Sequence, residues 1–155
     1  MIRIQQEDFD IGAEISKLRS GRTDIGAIVT FTGTVRDTAQ GECISEMTLE
    51  HYPGMTEKEL QRIEQQATAR WPLQGSLIIH RYGTMKPGEN IVLVITASAH
   101  RQAAFEAAEF LMDYLKTKAP FWKKEDGPDG GTWVDARDSD DDALKRWETR
   151  RKAAE

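Results

Sequence analysis

The sequence predicts an α+β domain built on a mixed or mostly antiparallel sheet. Strand-like and helix-like stretches alternate irregularly, without the regular rhythm of a doubly wound parallel fold. Pro53-Gly54 and Pro87-Gly88 mark tight turns after and between apolar runs. No GxGxxG or phosphate-loop lysine motif is present, which disfavours a nucleotide-cofactor fold.

Taken in order, Met1 to Gln5 reads as a short strand, and Ile11, Ile15 and Leu18 share one side of a short helix that Gly21 ends. The run 24–37, DIGAIVTFTGTVRD, is rich in β-branched and aromatic residues and reads as a buried strand, bent or closely approached at Gly33. Arg36 sits at its exit. After the turn-like DTAQGE, the stretch 44–52 reads as a second strand, paired beside the first. Thr56 followed by Glu59 matches a capping box, and Leu60, Ile63, Ala67 and Trp71 continue at helical spacing to Pro72, predicting a helix over 57–70. Leu77 to Tyr82 and Ile91 to Ala97 are two strands joined through TMKPGEN.

A long helix begins at Ser98 or the residue after it. Ala104, Phe105, Ala108, Leu111, Met112 and Leu115 form one buried stripe along it. It ends near Lys118, since Pro120 has no N–H to donate and biases Ala119 away from helical geometry. Beyond it FWKKE extends as a strand, DGPDGG is a loop, TWVDAR is a short strand, and Ser139 caps a last helix carrying Leu144 and Trp147. The expected organisation is one domain over 1–147 and a frayed tail over 148–155.

With 155 residues the chain builds one sizeable core. A net charge of −5 argues against a general nucleic-acid binder, so positive charge here is placed locally. Cys43 alone forms neither an internal disulfide nor a thiolate metal site, and it fits a reducing compartment. Its neighbour Glu42 is the wrong electrostatics for an activated thiolate. No apolar run reaches membrane-span length and MIRIQQEDFD lacks a signal peptide's pattern, so a cytoplasmic protein without membrane partners is expected. His51 and His80 have no second ligand at metal spacing and read as hydrogen-bonding residues; no metal site is predicted.

The residues with chemical potential cluster around the long helix. His100 and Arg101 follow a strand and open the helix, where free N–H groups, the helix dipole and a guanidinium can jointly hold a phosphate or carboxylate. An ion-paired arginine and a core histidine are the plainer alternative. Lys116, Lys118, Lys123 and Lys124 fall in an eleven-residue run, Tyr114 to Lys124, that contains no acid. Lys116 lies about a quarter turn from the stripe's centre, where a last-turn lysine equally suits the helix dipole. Lys123, in an extended FWKKE, alternates to the side of Phe121 and Glu125, opposite Trp122 and Lys124. Two partly desolvated ammonium groups near each other lower each other's pKa, which suits acid–base work near neutral pH. Arg36 and Arg137 end strand-like runs and either complete a basic pocket or pair at the surface.

In this order, FTGTVRD, LEHYPGMTEKEL, IHRYGTMKPGE, SAHRQAAFEAAEFLMDYLKTKAPFWKKE and WVDAR resemble the large catalytic subunits of molybdopterin synthase, the MoaE-like family, over about Asp24 to Trp147. The resemblance implies an α/β hammerhead-type domain with an additional antiparallel β subdomain. It implies a sulfurtransferase of molybdenum cofactor biosynthesis that converts cyclic pyranopterin monophosphate to molybdopterin. Sulfur would come from the thiocarboxylated C-terminal Gly-Gly of a small ubiquitin-like carrier subunit, with no permanently bound cofactor. The family assembly is a heterotetramer around a central homodimer. Carried over by position, Lys116 and Lys123 are the catalytic lysines; Arg36, His100, Arg101 and Arg137 bind substrate or anion; Phe31 and Met112 line the pocket. Thr34 stands where relatives can carry lysine and is left outside the site. The pocket of the family lies close to the dimer interface, so some arginines serve the neighbouring subunit. Two other classes stay open on the residues alone: an enzyme acting on another phosphorylated small molecule without a carrier, and a binding module for an acidic partner.

Overall fold

The computed structural model describes residues 1–39, 41–127, 130–134 (backbone only) and 141–148. The central four-stranded sheet has the order β1-β6-β8-β2, formed by β1 (Ile2–Gln5), β6 (Leu73–Arg81), β8 (Asn90–Ser98) and β2 (Ala27–Thr34). β1 runs parallel to β6 and the other pairs are antiparallel. Side chains alternate across it, and both faces are covered. Leu77, Ile79, Leu93 and Ile95 meet Phe9 and α1 (Ile11–Arg19) on one face. Ile78, Val92 and Val94 meet α2 (Met55–Arg70) and α3 (Arg101–Thr117) on the other, through Leu60, Ile63, Phe110, Leu111 and Leu115. A helix over 141–148, α4, adds Leu144 and Trp147 to that core.

The second sheet is antiparallel, with order β10-β9-β5-β7: β10 (Gly130–Val134), β9 (Phe121–Gly127), β5 (Glu46–His51) and β7 (Gly83–Met85). A short hairpin, β3 (Thr38–Ala39) with β4 (Glu42–Cys43), joins β2 to β5. The α+β expectation with a separate antiparallel sheet therefore holds. Strand partnership differs from expectation. β2 pairs with β8 while β5 pairs with β7 and β9, so the two strands expected to be neighbours lie in different sheets. β2 is an edge strand with Thr30 and Phe31 exposed, rather than a buried one. The register slips at Gly33/Thr34, and a Cβ at Gly33 would lie 2.9 Å from Val92 Cγ1, so the close approach is real. The TMKPGEN connection is not a plain turn, since Thr84 and Met85 cross into the second sheet as β7. Part of DGPDGG likewise belongs to β9 and β10.

Two helix details also shift. α2 starts at Met55, and the Glu57 carboxylate accepts from Gly54 N–H at 2.6 Å; Gly54 takes φ +86°, which favours glycine. Thr56 is thus inside the helix, and Glu59 pairs with Arg62. In α3 the core face is Ala104, Ala107, Ala108, Phe110, Leu111, Tyr114 and Leu115, while Phe105 is 61% exposed. The expected single stripe mixes two faces. Ser139 and the tail 149–155 lie outside the described residues.

Candidate active site

α3 places the sequence candidates at its two ends. β8 runs to Ser98, and His100, in extended geometry, is the N-cap residue of α3. Its side chain makes no capping bond, the first turn holds no acid, and both His100 and Arg101 are exposed. Free N–H groups, dipole and guanidinium therefore point to solvent together, an arrangement suited to an anion. Gly26 packs so tightly on this corner that a Cβ would lie 2.1 Å from the Ala99 carbonyl oxygen.

Along α3, on the side facing β2, runs a groove of about 500 Å³ lined by Phe31, Phe105, Ala108, Met112 and Lys116, with Glu109 and Asp113 at its margin. Phe31, Met112 and Lys116 thus share one surface. The acidic pair is engaged from α4: Arg146 reaches Glu109 at 2.7 Å and Asp113 at 3.2 Å, and Trp147 Nε1 donates to Asp113 at 2.5 Å.

After α3 the chain turns through Pro120 into β9. Cross-strand pairing sets Lys123 opposite Leu49 and Phe121 opposite His51, and alternation puts Trp122 on the other face, 46% exposed. Pairing opposite buried Leu49 sets Lys123 on the core-side face of β9, where its Nζ lies 3.1 Å from Glu125 with the side chain still 34% exposed. Arg36 is exposed just beyond β2, and Arg137 lies outside the described residues.

His80 is a core hydrogen-bonding residue, one of the expected alternatives, with a ring partner that spacing does not foresee. It is buried, stacked on Phe121 with ring centroids 3.8 Å apart and planes at 18°. Its Nδ1 lies 2.9 Å from the Arg81 carbonyl, which can only accept, so Nδ1 carries the proton and donates. Burial pushes its pKa down from 6.5 to about 4; the bond to Arg81 opposes this, and the nearby charges of Lys116 and His51 add to it. At neutral pH an uncharged imidazole therefore stands near the end of α3. Nothing in local spacing signals this. His51 is also half-enclosed, 4.3 Å from the Tyr82 ring and 3.8 Å from Glu57. Among the described residues no group of three His, Cys, Asp or Glu side chains is arranged to hold a metal.

A family model described as MoaE protein matches residues 4–118. The molybdopterin synthase catalytic subunit of Mesorhizobium japonicum is 60% identical over 151 residues, covering 96% of this chain and 93% of that protein. The solved molybdopterin biosynthesis MoaE protein from Burkholderia ambifaria superposes with a TM-score of 0.82 at 53% identity, covering 96% of this chain and 97% of that one. A more distant neighbour is the Helicobacter pylori complex of subunits 1 and 2 of molybdopterin-converting factor. It has a TM-score of 0.70 at 19% identity, over 88% of this chain and 90% of that one, a likeness of fold alone.

Proposed function

The chain belongs to the MoaE protein family, and from that premise we propose that it transfers sulfur to cyclic pyranopterin monophosphate to form molybdopterin. It is an enzyme, a catalytic subunit in molybdopterin synthesis for the molybdenum cofactor. The proposed donor is the thiocarboxylated C-terminal Gly-Gly of a small ubiquitin-like carrier. The reading rests on one observation above all: Phe31, Met112 and Lys116 converge on a single groove, with Lys123 turned inward on the strand that follows.

Both reactants are anions. Cations at Arg36, Arg101 and Arg137 and the imidazole of His100 attract and orient them, while lysine ammonium groups manage protons. Lys116, beside the thiocarboxylate, polarises the acyl group or moves protons during attack on the pterin side chain, and Lys123 positions or activates the substrate.

The geometry of α3 supports a shared site. Arg101 and Lys116 stand at opposite ends of one helix, roughly 22 Å apart at 1.5 Å per residue. One small substrate does not span that distance within one subunit. A central homodimer in which the anion end of one subunit meets the lysine end of the other resolves this, with a carrier on each side in a heterotetramer. The setting proposed is cytoplasmic; no described helix is long and apolar enough to cross a membrane.

Lys116→Ala should abolish product formation with purified thiocarboxylated carrier while carrier binding persists. Near-normal turnover would remove Lys116 from the chemistry. Lys116→Arg should also fail, because arginine retains charge but does not release its proton.

A further inference from the structure

We propose that Thr56 is a positioning residue whose buried hydroxyl, by bridging the turn before α2 to the Pro120 carbonyl, sets how Lys116 and Lys123 stand relative to each other. This rests on the reading that those two lysines carry the reaction.

Lys116 is in the last turn of α3 and Lys123 is the third residue of β9, so the connector between them decides their separation. Lys118 and Ala119 N–H groups hold the start of that connector to Tyr114 O, but Pro120 itself has no N–H, so its carbonyl is the one main-chain group it can offer to an anchor. Thr56 Oγ1 lies 3.0 Å from the Pro120 oxygen and 2.9 Å from Tyr52 N. The amide must donate to Oγ1, so the hydroxyl proton is directed at the Pro120 carbonyl. The residue is completely buried, so water does not substitute for either bond.

The hydroxyl is not needed to begin α2, since Glu57 already caps that helix through Gly54 N–H. Its backbone N–H returns to Tyr52 O at 2.9 Å, so the side chain is left to link outward. Two further contacts grip the same connector. Phe121 is paired with His51 at the end of the β5–β9 ladder, and its ring is stacked on His80. Thr56 supplies the only polar side-chain bond to Pro120 among the described residues.

Thr56→Val keeps shape and removes the hydroxyl, whereas Thr56→Ser keeps the hydroxyl. Turnover with thiocarboxylated carrier and cyclic pyranopterin monophosphate should fall about 10- to 100-fold in kcat for the valine protein, the scale of a small misplacement of reacting groups. KM should change little, and the serine protein should recover to within about threefold. The ¹³Cε titrations of Lys116 and Lys123 should shift in the valine protein and return in the serine one. If the valine protein does not fold, Thr56→Ala makes the same comparison without placing a methyl group where Oγ1 stood. A hydroxyl-free protein with wild-type kcat and unchanged lysine titrations, even with lowered Tm, overturns the proposal, as does failure of serine to rescue. Lys116→Ala and Lys123→Ala are measured alongside. Turnover retained in those would fail the lysine assignment itself, whereas inactive lysine variants beside a fully active valine protein would fail Thr56 alone.

Discussion

The two ends of α3 are built on opposite principles. At the first turn, His100 offers no capping bond, no acid balances the dipole, and Arg101 has no hydrogen-bond or ion-pair partner among the described residues. At the other end, Thr117 Oγ1 donates to the Asp113 carbonyl at 2.8 Å, Lys118 N–H closes on Tyr114 O at 2.8 Å, and Thr56 holds the Pro120 carbonyl. One end is left open to something that arrives; the other keeps its own shape. An open cationic helix start gains most when an anion binds. A braced end suits groups whose placement must be right before a reactant comes. Under the proposed shared site, one helix serves both purposes because its two ends face different subunits' substrates.

The sharpest way to break this comparison is to disable one end in each of two proteins and mix them. Arg101→Ala and Lys116→Ala should each be inactive or nearly so. After random subunit exchange, half the pairs are mixed and each mixed pair regains one intact site of two, so about a quarter of wild-type turnover should return. If both ends served one subunit's own site, mixing would restore nothing.

A smaller effect, near the braced end, depends on pH. The folded pKa of His80, about 4, lies below its ordinary 6.5. Between those values the unfolded chain binds a proton that the native one refuses, so stability falls as pH drops from 6.5 toward 4, by up to about 3 kcal/mol from this residue. His80→Phe, which retains a ring against Phe121, should flatten the Tm-against-pH curve in that window. The smallest effect belongs to the middle of the helix. Arg146→Ala removes ion pairs whose arginine and Glu109 partner are largely exposed, so denaturant unfolding should shift by less than about 1 kcal/mol, with turnover unchanged.

Much of this was legible in the sequence, in a particular pattern. The existence of α2 and α3 follows from helical periodicity and that of β6, β8 and β9 from short runs bounded by turns, while alternation within FWKKE puts Lys123 on the side of Phe121. Partnership does not: nothing within 24–37 or 44–52 says that each strand seeks a different sheet. Thr56 looked like a cap because its spacing to Glu59 fits one, yet the positive φ at Gly54 moved the helix start and freed the hydroxyl for a carbonyl 64 residues away. Phe105 fits the periodicity as well as Phe110 does, and the packing of Trp71 and Trp147 against Phe110 decides which is covered. The lysines were ambiguous on spacing, and the family resemblance, not periodicity, singled out Lys116 and Lys123. His80 carried no signal, because its importance lies in a ring contributed from β9.

The exposed edge of β2 also has a consequence for handling the protein. A terminal strand carrying Thr30 and Phe31 on its surface, with Phe105 across the groove, is a ready template for strand addition. Solubility should therefore depend on whether that edge is occupied. Concentrated protein should associate through this edge first, and Thr30→Lys, which places a charge on it, should keep the enzyme in solution.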